Sequence, residues 1–171
     1  MSDGIFNVLK PSGMTSHDVI AFLRRMLNTK KVGHGGTLDP DAAGVLPVFT
    51  GTATRLLEFA VEGRKQYLVE VTLGKQTDTG DDSGSVVKEM PVPVFTEEAL
   101  QKVLQSFLGK QKQLPPMYSA IKINGQKLYQ LARKGVEVER ELRDIEVYKL
   151  ELLHFTANTL TLAVDCSKGT Y

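Results

Sequence analysis

Hydrophobic and polar positions change their spacing several times along the chain, and the changes mark its elements. After Thr15, the residues Val19, Ile20, Leu23 and Leu27 recur at helical spacing. Thr15 with Asp18 fits a capping box, so a helix is expected over residues 16–28. The segment VLPVFTG predicts a short strand, and TRLLEFAVEG a short helix stopped at Gly63. In KQYLVEVTLG the alternation is strict. Tyr67, Val69, Val71 and Leu73 face one way; Leu68, Glu70 and Thr72 face the other. A polar turn, TDTGDDSGS, follows, and VVKE returns as a strand.

Thr96 is a suitable N-cap, with Glu97 and Glu98 placed to meet the helix dipole. Leu100, Val103, Leu104 and Phe107 then predict a buried stripe on a helix ended by Gly109. Asn124 and Gly125 mark a turn, QKLYQLARKG a short helix stopped by Gly135, and residues 137–143 carry dense charge without a burial pattern. IEVYKLELLHF and LTLAVDC read as a hairpin around Asn158. Helices and strands interleave without a regular βαβ period, which argues for an α+β fold with a mixed, mostly antiparallel sheet flanked by helices.

Composition narrows the class. The 171 residues are 42% apolar and 24% charged, ordinary for a folded domain, and carry a net charge of +1. A single cysteine, Cys166, excludes an intrachain disulfide, and together with the lack of a secretory signal pattern this points to the cytoplasm. No apolar run reaches the ~20 residues that span a bilayer, so no membrane association is expected. Basic pairs recur at Arg24–Arg25, Lys30–Lys31, Arg64–Lys65 and Arg133–Lys134. Each alone is ordinary solvated surface.

Three candidate chemistries fail on their decisive residues. The glycine-rich stretch GHGGTLDPDAAGVLPVFTG lacks the Gly-Lys-Ser/Thr of a P-loop. The acidic turn, aligned to a calcium loop from Asp78, has Gly80 at a ligand position and Ser83 where the sharp turn needs glycine. His17, His34 and His154 have no metal spacing with the cysteine, and no nucleophile elbow is present. Asp39 remains. Its carboxylate is ionised at neutral pH and can serve as nucleophile or base. Pro40 biases it to an extended backbone, and the surrounding glycines permit tight turns and close approach of a ligand. An aspartate in a turn is the plainer reading of the same residues.

The segment GHGGTLDPDAAGVLPV resembles the core motif of the TruB-type tRNA pseudouridine synthases. So, in order, do NVLKPSGMTSHDV, KQYLVEVTLGKQTDTGDDSG, LPPMYSAIKINGQKLYQLARKG and CSKGTY, so that the resemblance extends over essentially the whole chain. It implies a pseudouridine synthase catalytic domain over residues 1–171, with residues 114–143 as a mobile insertion that grips RNA. The implied activity is isomerisation of a specific uridine in the tRNA T-loop to pseudouridine. The base is flipped out of the stack, and neither cofactor nor metal is needed. Asp39 matches the catalytic aspartate. His34 matches the histidine that takes the place of the flipped base, Tyr67 the tyrosine that packs on the uracil, and Tyr171 the tyrosine of the closing motif. Lys10 matches a lysine that supports the pocket. The expected partner is the tRNA T-stem-loop, bound by a monomer.

The family's closing motif continues past KGTY to an arginine that pairs with the aspartate, and bacterial members carry a further RNA-binding domain. The 171 residues are therefore expected to be incomplete at the C-terminal end and inactive by themselves. Two other readings survive on the residues alone: an RNA-binding module without turnover, and a carboxylate-dependent hydrolase. Product from an unmodified T-stem-loop RNA, with no metal added, separates all three.

Overall fold

The structure, a computed structural model, describes residues 3–119, 121–123 and 125–171. The chain forms two compact units, one running to Gly63 and the other from Arg64 to Tyr171.

The first unit opens with strand β1 (Gly4–Lys10), helix α1 (Ser16–Met26), strand β2 (Val32–His34) and strand β3 (Gly44–Thr50). A 3-10 turn (Gly51–Leu56) and helix α2 (Leu57–Val61) complete it. The three strands form one antiparallel sheet in the order β1-β3-β2, with Lys10 opposite Gly44 and His34 opposite Val48. Its core joins Val19, Ile20 and Leu23 of α1 to Val32, Leu46 and Val48 of the sheet. The capping box forms as the sequence indicates: Asp18 N donates to Thr15 Oγ1 (3.0 Å) and Thr15 N to Asp18 Oδ2 (2.9 Å). The helix stops at Met26 rather than residue 28, because Asn28 takes a left-handed φ of 47°.

Strand β1 had no signature in the sequence, and the reason is physical. Leu9, which a hydrophobic pattern would bury, is 75% exposed, whereas its neighbour Lys10 is fully buried. The strand's alternation is inverted at its C-terminal end.

The second unit contains β4 (Lys65–Thr72), β5 (Lys75–Thr77), β6 (Val86–Glu89), α3 (Glu97–Gln105) and β7 (Gly109–Gln113). Then come β8 (Lys122–Ile123), β9 (Gln126–Lys127), α4 (Leu128–Ala132), β10 (Arg143–Phe155) and β11 (Thr159–Cys166). The main sheet has the order β4-β11-β10-β7 and is antiparallel throughout; β5-β6 and β8-β9 are separate hairpins. Leu104 of α3 packs with Leu160 and Leu162 of β11. The α+β class and antiparallel pairing follow the sequence reading.

Several details depart from it. The expected stripe on α3 is only partly buried: Leu104 is covered, but Val103 and Phe107 are about half exposed. The helix ends at Gln105, and Gly109, at φ 88°, opens β7 instead of closing the helix. β7 reads GKQKQ, without an apolar residue, and lies at the sheet edge, where lysines are suited to discourage further pairing. VVKE pairs with β5, in a hairpin of its own. Of the expected turn at Asn124–Gly125, Asn124 lies outside the described residues, and Gly125 has a φ of 81° between β8 and β9.

Candidate active site

β1 delivers Lys10 and β2 ends on His34; the loop that carries Asp39 then returns the chain to β3. Loops lack a hydrogen-bond ladder, so their backbone groups must find other partners. Here they come from buried side chains. The Lys10 ammonium donates to the carbonyls of Pro11 (2.9 Å), Met14 (2.6 Å) and Pro40 (3.1 Å). Pro40 O also accepts from Gly13 N (2.9 Å), and Asp39 O from Ala42 N (3.2 Å). Ser16, buried at the start of α1, bonds both backbone groups of Leu38. The residues on either side of Asp39 are thus anchored, while Asp39 itself is exposed.

His34 is half-buried at the other end of the loop. Its Nδ1 contacts Gly36 O. A carbonyl only accepts, so Nδ1 carries the proton in that contact, and the ring is held by one edge. Two of the glycines around it have a packing role. A Cβ at Gly33 would lie 2.6 Å from Leu57 Cδ1, and one at Gly35 would lie 3.0 Å from both Ala60 Cβ and Phe49 Cε2. At Gly35 the neighbours are the Phe49 ring and the Ala60 methyl, whereas at Gly33 the neighbour is the end of one flexible leucine side chain. The bareness of Gly35 seats the loop on the unit's own hydrophobic side, whereas Gly36 has open space where its Cβ would be.

Tyr67 and Tyr171 belong to the second unit. Tyr67 sits on β4 opposite Val164 of β11 and is 39% exposed. Beside it in the sheet, Asp165 pairs with Arg64 (3.7 Å), whose guanidinium stacks 3.9 Å from the centre of the Tyr148 ring. Tyr171 follows the turn after β11. Its N donates to Gln113 Oε1 (2.9 Å), and its carbonyl accepts from Gln113 Nε2. Gln113 therefore grips the Tyr171 backbone as a neighbouring strand would. Burial pushes the Cys166 thiol above its usual pKa, which makes it a poor nucleophile.

The segment 114–143 leaves the main sheet where Gln113 of β7 faces Arg143 of β10. Lys127 Nζ and Arg133 Cζ lie 5.6 and 5.5 Å from the centre of the Tyr129 ring. Arg140 Nη1 donates to Pro115 O (3.0 Å), tying the charged stretch to the root of the segment. In the acidic turn, Asp81 accepts from Thr79 Oγ1 (2.7 Å) and Ser83 Oγ (2.6 Å), and Asp78 from Ser85 N (2.8 Å). These carboxylates shape a turn. Their hydroxyl partners, Ser83 first, hold the Asp81 carboxyl below its ordinary range.

Sequence reasoning did not single out Ser16 or Gln113. Neither residue type signals a buried contact in the sequence; only the pairing across 22 and 58 positions makes them visible.

An antiparallel α+β protein with an anchored loop that presents Asp39 defines a class, and the comparisons narrow it. The chain belongs to the TruB family of pseudouridylate synthases, whose N-terminal domain it matches over residues 24–171. It is 56% identical over 170 residues to a tRNA pseudouridine synthase B of Caldanaerobacter subterraneus, covering 99% of this chain and 60% of that protein. With the protein of the same name from Alkaliphilus oremlandii it shares 52% over 169 residues, covering 99% and 56%. The chain thus spans less than two thirds of the length of these relatives. Among solved structures it is similar to a chain of a Cbf5-Nop10-Gar1 complex, with a TM-score of 0.72 and 31% identity over 98% of this chain and 40% of the other. It is also similar to a chain of an H/ACA ribonucleoprotein bound to a substrate RNA containing 2'-deoxyuridine, with a TM-score of 0.67, 27% identity, and coverage of 98% and 39%.

Proposed function

We propose that the gene product carrying these 171 residues isomerises a uridine in the T-loop of tRNA to pseudouridine, with Asp39 as the catalytic carboxylate. The observation that carries this reading is the Asp39 loop: an exposed carboxylate on backbone anchored at Leu38 and Pro40, in a chain of the TruB family. In the reaction the bond from N1 to the sugar breaks, the uracil turns, and C5 takes the place of N1. The change is redox-neutral, and nothing is gained or lost.

The uridine must first leave its stack, at about a few kcal/mol. His34, whose ring is held through Nδ1, is suited to fill the vacated space. Tyr67 is suited to pack on the flipped uracil, and Tyr171 to close over it. Lys10 supports the loop from beneath. The segment 114–143, with Tyr129 flanked by two cations, is suited to phosphates and bases of the stem.

The test is nucleoside analysis of an unmodified T-stem-loop RNA after incubation with the gene product and with its Asp39→Asn variant. The amide keeps the shape but is a poor nucleophile and base. Turnover is expected to vanish with RNA affinity retained within about tenfold. Residual turnover above one tenth of the parent removes Asp39 from the role.

A further inference from the structure

Ser16 has no role in the reading above, yet it makes the most direct contact with the backbone that precedes Asp39. It is the first residue of α1 and is 3% exposed. Its hydroxyl donates to Leu38 O (3.1 Å) and accepts from Leu38 N (3.0 Å). A serine hydroxyl has one donor and two lone pairs. It therefore satisfies both backbone groups of a single residue, as a paired strand would, in a loop that has no strand beside it.

The torsions around Asp39 show why this matters. Pro40 has its own φ fixed by the ring and restricts Asp39 to extended backbone. Pro40 O is held by Lys10 Nζ (3.1 Å) and Gly13 N (2.9 Å). The backbone torsions immediately before Asp39 are those of Leu38, and the Ser16 hydroxyl pins the groups on both sides of them. α1 itself is seated firmly, through its capping box and through Val19, Ile20 and Leu23 in the core. Ser16 thus transfers the rigidity of a helix to a loop.

From these contacts we propose that Ser16 is a positioning residue for Asp39, acting through the Leu38 backbone to hold the carboxylate at its reacting geometry. The proposal rests on the reading that Asp39 is the reacting group. A misplacement of about 1 Å in a reacting group can lower a rate about a hundredfold. The loss should therefore fall on the chemical step and spare RNA binding.

The experiment compares the parent gene product with Ser16→Ala, Ser16→Cys and Val19→Ala, using unmodified tRNA transcript as substrate. Cysteine keeps the side chain's outline with a much weaker donor and acceptor. Val19→Ala thins the core of the same helix without touching the loop contacts, and it controls for general destabilisation. For each protein the melting temperature, kcat and KM are measured, with turnover assayed well below the melt. Ser16→Ala is expected to lose at least tenfold in kcat with KM within threefold. Val19→Ala should melt earlier yet keep kcat within twofold. A Ser16→Ala kcat within twofold of the parent overturns the proposal, as does an equal loss in Ser16→Ala and Val19→Ala. If Ser16→Ala does not fold, Ser16→Cys decides: a kcat at least fivefold lower supports the clamp, and an unchanged kcat removes it. Absence of pseudouridine from the parent itself is a different failure, since it removes the role of Asp39 on which the clamp rests.

Discussion

Lys10→Met is the sharpest perturbation of the loop's foundation, because it deletes an ammonium and keeps most of the aliphatic stem. Lys10 is fully buried, and its Nζ donates to Pro11 O (2.9 Å), Met14 O (2.6 Å) and Pro40 O (3.1 Å). All three N–H groups are thus in use. Hydrogen bonds from a charged donor contribute about 1.5–3 kcal/mol each, which gives roughly 5–9 kcal/mol for the set. Against this stands the desolvation of the ammonium, several kcal/mol in a protein interior. Pro40 O also keeps Gly13 N as a partner, so its loss is the mildest of the three. The net destabilisation should be about 2–4 kcal/mol, which for a domain of this size lowers Tm by roughly 5–15 °C. Thermal melting of the gene product and its variant measures this directly. Turnover on T-stem-loop RNA, assayed well below both melts, should fall about 10- to 100-fold, because Pro40 loses one of its anchors. A Tm within about 2 °C of the parent, or above it, would show that desolvation cancels the three bonds. Unchanged turnover would show that the loop does not depend on them.

His34→Ala removes a stacking surface worth about 1–3 kcal/mol, so productive binding of a duplexed stem-loop should weaken about 5- to 150-fold; a single-stranded substrate should lose much less, and an equal loss on both would argue against base replacement. Hydrogen exchange across residues 114–143 should be fast in the free protein and slow with tRNA bound, since the segment's described elements are short, with two-residue strands and a five-residue helix; strong, equal protection in both states would refute this. The Asp18 carboxyl is held below its ordinary range by its hydrogen bonds with Thr15, and that of Asp3 by its hydrogen bonds with Thr52. A depressed value in the folded state means that this stability is present above the ordinary carboxylate range and is lost as pH falls through the folded value. Urea midpoints of the parent and of Asp18→Asn should therefore differ at pH 7 and converge as pH falls well below about 4; a constant gap would contradict the linkage.

Where burial follows a repeating pattern, the elements were legible. β4, with Tyr67, Val69 and Val71 on one face, and the hairpin of β10 and β11 appear where alternation indicates. α1 starts at its capping box. β1 and β7 were not legible, for opposite reasons. β1 buries a lysine and exposes Leu9; β7 has no apolar residue to alternate. In both cases tertiary hydrogen bonding overrides the side-chain pattern. The Asp39 loop could be located from its glycines and proline, but the glycines were only partly understood. Gly35 lies against Ala60 and Phe49, and Gly33 against the end of the Leu57 side chain, and such contacts between distant positions leave no local mark.

On the proposed function, the loop has to meet two demands that ordinarily conflict. A carboxylate that acts on a large substrate must be exposed on a surface loop, and a carboxylate that acts well must be held still. Burying the loop would satisfy the second demand at the expense of the first. Here the polar anchors are buried instead. Lys10 and Ser16 are both almost inaccessible; Lys10 bonds the carbonyls of Pro11, Met14 and Pro40, and Ser16 both backbone groups of Leu38. A buried polar group left without a partner is costly, so each anchor favours the single loop conformation that satisfies it. The inverted burial at the end of β1 is then part of the proposed site. A leucine in place of Lys10 would suit the hydrophobic pattern better, but it would leave the carbonyls of Pro11 and Met14 without their donor and remove one of two from Pro40. The local rule is broken at the position where the loop needs a donor from below, and a hydrophobic residue there could not supply one.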